Sequence, residues 1–202
     1  AIDIIEMDNG LLTEKFSDEP ITGKVYSYFG EEDFLKKVYV GNILNGKREG
    51  KWVSYYNSTG KKIYEHNYKN GKLDGSSYTW YENGQIGKEQ IYKNGRRIEI
   101  GREWFENGQE KWEVTFKNGD KISAHSWYIS GQRRSESTYE NGELDQSSTR
   151  WYDNGQKSQE SISKDGKLIS EKCWDEDGKD CECNLFGFGC SELPFLIKEL
   201  SK

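Results

Sequence analysis

Proline occurs twice in the 202 residues, methionine once and histidine twice, and no cysteine precedes Cys173. Neither His66 nor His125 belongs to a recognisable triad, metal motif or phosphate loop, so the sequence offers no catalytic centre of a familiar kind. No apolar run approaches the ~20 residues of a transmembrane helix. Aliphatic residues are scarce as well. Leu, Ile, Val and Phe total 39 and the mean hydropathy is −1.01, values close to those of disordered chains. Basic residues are not in excess: 29 Lys and Arg stand against 35 Asp and Glu, a net charge of −6. That excludes the Lys/Arg-rich footprint of a nucleic-acid or anionic-membrane binder. The acidity is local. Residues 1–33 hold nine acidic and two basic groups, and the rest hold 26 acidic and 27 basic, a balance that leaves room for an acidic partner.

What the chain has instead is aromatic residues, glycine and a period. Twenty-eight Trp, Tyr and Phe side chains supply large buried areas with polar tips, enough to order a sheet whose neighbouring hairpins stack. Tryptophan-type blocks close on Gly60, Gly84, Gly108, Gly131, Gly155 and Gly178, in steps of 24, 24, 23, 24 and 23. Eleven residues after each lies a second glycine, from Gly71 to Gly189, and an aromatic precedes it by three positions in five of six units. A fixed period of this length means a solenoid or array. Asn70-Gly71, Asn94-Gly95, Asn118-Gly119, Asn141-Gly142 and Asp165-Gly166 are hairpin signals, because type I′ turns need positive φ at both central residues. The glycines of the Trp blocks supply the other turn. Each unit therefore reads as a β-hairpin. The expected fold is all-β, an elongated single-sheet antiparallel meander of about seven tandem hairpins of ~24 residues.

The pattern E-x-x-Y-K-N-G-K-x-x-G followed by W-Y-x-N-G, best seen from Glu65–Gly75 to Trp151, resembles the MORN repeat. More specifically it is similar to the bacterial variant found in tandem in antitoxin- or immunity-type proteins. Degenerate copies extend the resemblance to about Pro20 and Gly189. The resemblance implies an interaction scaffold and leaves the partner unspecified. One array over residues 1–202 is expected, with degenerate N-terminal repeats over 1–45, regular repeats over 46–178 and a cysteine-containing cap over 179–202.

Outside the regular units, Ile2–Met7 reads as a strand, and Thr22–Phe29 as a degenerate copy of the strand that carries Trp52. Gly30–Tyr39 breaks the period, either as a short helix or as a bulged hairpin. Ser191, Leu193, Leu196, Ile197 and Leu200 have the spacing of a short terminal helix that would cover an open sheet edge.

Three sets of residues are candidates for function. Cys173, Cys181, Cys183 and Cys190 lack the paired knuckles of a structural zinc site. Two disulfides fit better, with Cys181 and Cys183 each joined to Cys173 or Cys190; free structural thiols are the alternative. Disulfides would favour an exported protein, periplasmic, extracellular or on the cell surface, over a cytoplasmic one. The start at Ala1 fits trimming or removal of a signal peptide equally. The second set is Glu65, Glu89, Glu113, Glu136 and Glu160, each five residues after a turn glycine. They fall on one face in a column spaced about 10 Å, too wide for a glycosidase pair. They read as a structural ladder partnered by Lys, Arg or Tyr on intervening strands, or as a stripe that binds cations or amines. The third set is Trp80, Trp104, Trp127 and Trp151, either the packed spine of the array or an exposed row that stacks on sugar rings. The sequence implies no cofactor, no metal and no enzyme. It implies a face presented to another protein, with a wall polysaccharide as the alternative ligand.

Overall fold

The computed structural model describes residues 4–6, 12–14, 19–29, 36–140, 143–184 and 189–190. Among them there is no helix, and the architecture is all-β. Strands β1 (Ile4–Glu6) and β2 (Leu12–Glu14) form a small antiparallel pair. The other fifteen strands make one antiparallel sheet that meanders in chain order, with one short strand set aside from the path. The chain divides into two compact units, residues 1–108 and 109–202.

The first unit runs through β3 (Gly23–Phe29), β4 (Lys36–Leu44), β5 (Lys47–Tyr55), β6 (Lys62–Lys69), β7 (Lys72–Trp80) and β8 (Ile86–Lys93). It ends with the two-residue β9 (Arg96–Arg97) and β10 (Gly101–Trp104), both paired to β8. The interruption between them falls where β7 has Gly75 at φ +104°; the matching position is Glu99, and L side chains avoid that conformation. The second unit runs through β11 (Glu110–Lys117), β12 (Asp120–Trp127), β13 (Arg133–Glu140), β14 (Glu143–Trp151), β15 (Lys157–Lys164), β16 (Lys167–Trp174) and β17 (Asp180–Cys181). The irregular stretch after Phe29 resolves in part. Lys36 onward belongs to β4, which pairs with β3 through a register shift at Val25/Tyr26, as a bulged hairpin. Residues 30–35, the Asn141-Gly142 turn and the expected helix after Cys190 lie outside the described residues.

The two kinds of turn differ in chemistry. In the Asn-Gly and Asp-Gly turns both residues have positive φ, as at Asn70 (52°) and Gly71 (79°), the I′ geometry that two-residue hairpins require. In the Trp-block turns only the glycine does, as at Gly84 (94°). There Gly84 N donates to Tyr81 O and Tyr81 N to Gln85 O, both at 2.9 Å, so the loop has three residues.

Successive hairpins are joined at both turns. Tyr56, Tyr81, Tyr128 and Tyr152 each donate their hydroxyl to the carbonyl of the tryptophan one unit on, Trp80, Trp104, Trp151 and Trp174, at 2.7–3.1 Å. At the opposite end, Glu49 accepts from Asn70 N at 2.8 Å and Asp74 from Asn94 N at 3.1 Å. The Asn94 amide, followed by Lys93, holds the Asp74 carboxyl below the usual carboxylate range. This is how so few aliphatic side chains suffice. Among the described residues the buried hydrophobics reduce to Val40, Ile43, Trp52 and Val53 in the first unit and Val114 and Cys173 in the second.

Candidate functional site: two faces of the sheet

The hairpins that turn after Tyr55, Trp80, Trp127 and Trp151 carry a bulge, and the bulge sorts the side chains. Pairing runs Tyr55↔Lys62 then Ser54↔Tyr64, Trp127↔Arg133 then Ser126↔Ser135, and Trp151↔Lys157 then Arg150↔Gln159. One residue per hairpin is therefore extra: Ile63, Arg134 and Ser158. A regular strand sends positions i and i+3 to opposite faces, but an intervening bulge returns them to the same one. Hence Lys62 reaches Glu65, Arg133 reaches Glu136 at 3.0 Å and Lys157 reaches Glu160.

Within each unit the glutamates share one face, as their spacing implies. In the first unit the cross-strand register reads Val53↔Glu65↔Tyr78↔Glu89↔Arg102. In the second it reads Glu113↔His125↔Glu136↔Thr149↔Glu160↔Lys172. Tyrosine, arginine and lysine do stand on intervening strands, yet the cations that touch Glu65, Glu136 and Glu160 come mostly from the same strand. His125 Nδ1 lies 3.7 Å from Glu113. Lys51, at 2.7 Å, and Lys62, at 2.6 Å, hold the Glu65 carboxyl below the usual carboxylate range.

A depressed carboxyl stabilises the fold above its unfolded pKa of about 4.3, and that contribution disappears as pH falls through the lower folded value. Glu65→Gln is therefore expected to lower stability by up to about 1 kcal/mol near neutrality, since both lysines are largely solvated, and to flatten the acid limb. Urea midpoints from pH 3 to 7 measure this; superimposable wild-type and variant curves would contradict it.

The tryptophans are half-buried, neither a closed spine nor a bare row. Trp80 carries Lys62 Nζ 5.4 Å from its ring centre and packs on Tyr78, and Trp127 carries the Arg133 guanidinium at 5.5 Å and packs on His125. These contacts set Trp80 beside Glu65 and Trp127 beside Glu136 on one face, each pair bridged by a shared cation. Trp104 serves as the carbonyl acceptor for Tyr81. Trp151 also borders the opposite face.

That opposite face differs between the units. In the first, the strand positions flanking Glu65 are Tyr64 and His66, stacked at 4.5 Å, with Tyr68 and Trp52 beyond them. Burial, followed by the nearby Arg48 charge, lowers the His66 pKa, consistent with a packing role. A cavity of about 530 Å³ opens beside this cluster, bordered by Tyr26, Trp52, Tyr55, Tyr56 and Tyr64 and, among the described residues, by no charged side chain. In the second unit the positions flanking Glu136 are Ser135 and Ser137, and their cross-strand neighbours are Ser126, Ala124 and Ser148. The hydroxyls pair across strands, Ser126 with Ser135 at 2.7 Å and Ser137 with Ser148 at 2.9 Å.

Small side chains where the first unit has rings leave a groove of about 450 Å³. Its walls are Trp112, Tyr128, Tyr139, Trp151 and Tyr152, and its charged lining residues are Lys121, Arg134 and Arg150. Among the described residues no carboxylate lines it. Sequence reasoning missed this site. The available signal was the second residue after each turn G-Q, the bulge position at Gly131-Gln132 and Gly155-Gln156, combined with serines at both flanks of a column glutamate.

The four cysteines form two interleaved disulfides, Cys173–Cys183 and Cys181–Cys190, within the pairings the spacing allowed. Glu171 lies within 4.8 Å of the Cys173 and Cys183 sulfurs, but sulfurs joined to each other are not thiolate ligands. Tyr152 ties this cap to the repeats. Its hydroxyl donates to Trp174 O and accepts from Cys190 N, and burial raises its pKa.

No protein-family model matches the chain, and comparison with curated proteins finds no match.

Proposed function

We propose that this chain is a non-catalytic protein-binding module built from MORN-like repeats. The observation that supports this most is the second unit's groove, where small serine and alanine side chains replace the rings that fill the same positions in the first unit. A sheet whose hairpins are joined by turn-to-turn hydrogen bonds keeps its face free for display, because stability does not depend on covering it. An antitoxin- or immunity-like role toward a partner is one form of this function, and an exported adhesion or scaffold protein is the other. The two disulfides favour the exported form.

Glycan binding is the second reading, and it shifts in location. The ring faces of Trp80 and Trp127 are covered by Lys62 and Arg133, which compete with sugar stacking. The uncharged aromatic cavity of the first unit, with Ser27, Ser54 and Asn57 at its border, suits a neutral sugar better.

Affinity capture with the full chain on fractionated cells of the source organism separates the two. The expected result is near-stoichiometric retention of one protein that protease treatment abolishes and periodate does not. Retention on an insoluble polysaccharide fraction, competed by free sugar, would replace protein binding with glycan binding.

A further inference from the structure

The charges around the second unit's groove are not spread along it. Lys121 lies near the start of β12, with its Nζ 3.9 Å from the centre of the Tyr139 ring. Arg134 and Arg150 lie at the other end. The Arg134 guanidinium sits 5.7 Å from the Tyr128 ring, and Arg150 Nη1 donates to Gln159 at 2.8 Å. Register places Arg150 opposite Ser135, which is opposite Ser126, five residues along β12 from Lys121. At ~3.3 Å per residue the two cationic ends are roughly 15 Å apart. Between them the floor is Ala124, Ser126, Ser135 and Ser137, with no cation. Neither Lys121 nor Arg134 has a carboxylate partner among the described residues. Each is steadied on an aromatic face, which limits the side-chain entropy that a ligand contact would otherwise cost.

We propose that this groove receives an extended acidic peptide segment, with carboxylates held at one end by Lys121 and at the other by Arg134 and Arg150. The proposal rests on the protein-binding reading and specifies its partner. A single phosphate needs cations that converge, and these are separated. A single-stranded nucleic acid needs positive charge along the whole track, and the middle of this one is hydroxyl and aromatic. An extended peptide covers ~15 Å in about five residues, so acidic groups at both ends of such a segment match the groove's charges, and apolar side chains between them meet Trp112 and Tyr139.

The test uses a fluorescein-labelled heptapeptide with two glutamates at each end and Ala-Leu-Ala between, titrated into the full chain at low salt and followed by anisotropy. Saturable binding is expected, weakened about tenfold or more by Lys121→Glu and by Arg134→Glu. Glu136→Gln, on the opposite face, should leave it unchanged, and thermal melts of all variants confirm folding. Three outcomes overturn the proposal: no saturable binding, equal binding by wild type and the folded groove variants, or tighter binding of an oligothymidylate of equal charge. Failure here is separable from failure of the broader reading. If the chain captures a cellular protein equally well with both groove cations reversed, protein binding stands and this groove is not its site. If the peptide binds as expected and no protein is captured, the groove assignment stands alone.

Discussion

Trp52→Ala is expected to cost about 3–5 kcal/mol, the largest effect of any single truncation in the first unit. Trp52 is 8 % exposed and is the central ring of the cluster formed with Val40 and Ile43, flanked by Ile21, Val25, Tyr55 and Tyr68. Its Nε1 donates to Asn42 O at 2.9 Å, and the Arg48 guanidinium lies 5.0 Å from its ring. The strand beneath it has been cleared to fit. A methyl group at Gly41 would fall 2.5 Å from indole carbons Cδ2 and Cε2. Gly41→Ala is therefore destabilising for a steric reason alone and is expected to cost about 1–3 kcal/mol. Repeat arrays unfold piecewise, so both changes should loosen β3 to β6 and leave the second unit's exchange rates unaltered. Amide hydrogen exchange resolved by strand measures this. Uniform acceleration across both units, or none, would contradict it.

Reducing the two disulfides is the second large effect. They close sequence separations of 10 and 9 residues, and cross-links of that size stabilise by about 2–4 kcal/mol. Cys173 is 1 % exposed, so its thiol has no compensating solvation on reduction. The loss should spread to β15 and β16 through Tyr152, whose hydroxyl sits between Trp174 O and Cys190 N. Melting with and without reductant is expected to show a clear drop in the transition that reports Trp174. Identical melts, or four thiols titrating in the untreated chain, would contradict the cross-linked cap.

The turns were legible in the sequence because Asn-Gly has few structural alternatives, and Asn70-Gly71 and Asn118-Gly119 adopt the φ values that their chemistry implies. The glutamate column was legible too, since period-2 alternation needs only the spacing. What joins the hairpins was not. A tyrosine after tryptophan signals burial, and nothing in its identity says that its hydroxyl reaches the carbonyl one unit on, as Tyr81 does at Trp104 O. The partners of the column were placed only in part: Lys51 reaches Glu65 from the neighbouring strand as expected, whereas the same-strand cations were missed for a related reason. Strand alternation puts Lys62 on the face away from Glu65, and only the bulge at Ile63 returns it. The groove was hidden for the same reason. Arg134 and Ser158 face it as bulge residues, and serines at 126, 135, 137 and 148 read as filler until register sets them side by side.

The tryptophan column shows how a two-way expectation resolves into neither case. The partly buried rings of Trp80 and Trp127, capped by Lys62 and Arg133, are amphipathic surface, not core and not a free stacking platform. Binding is therefore sought on the other face.

The most direct measurement is the hydrogen-exchange footprint of the full chain with its captured protein partner bound. Slowed exchange concentrated in β12, β13 and β14, with the glutamate-side variant Glu136→Gln giving the same footprint, is the expected result. Protection confined to the first unit's aromatic cavity, or absent from both units, would contradict the groove as the surface through which this protein works.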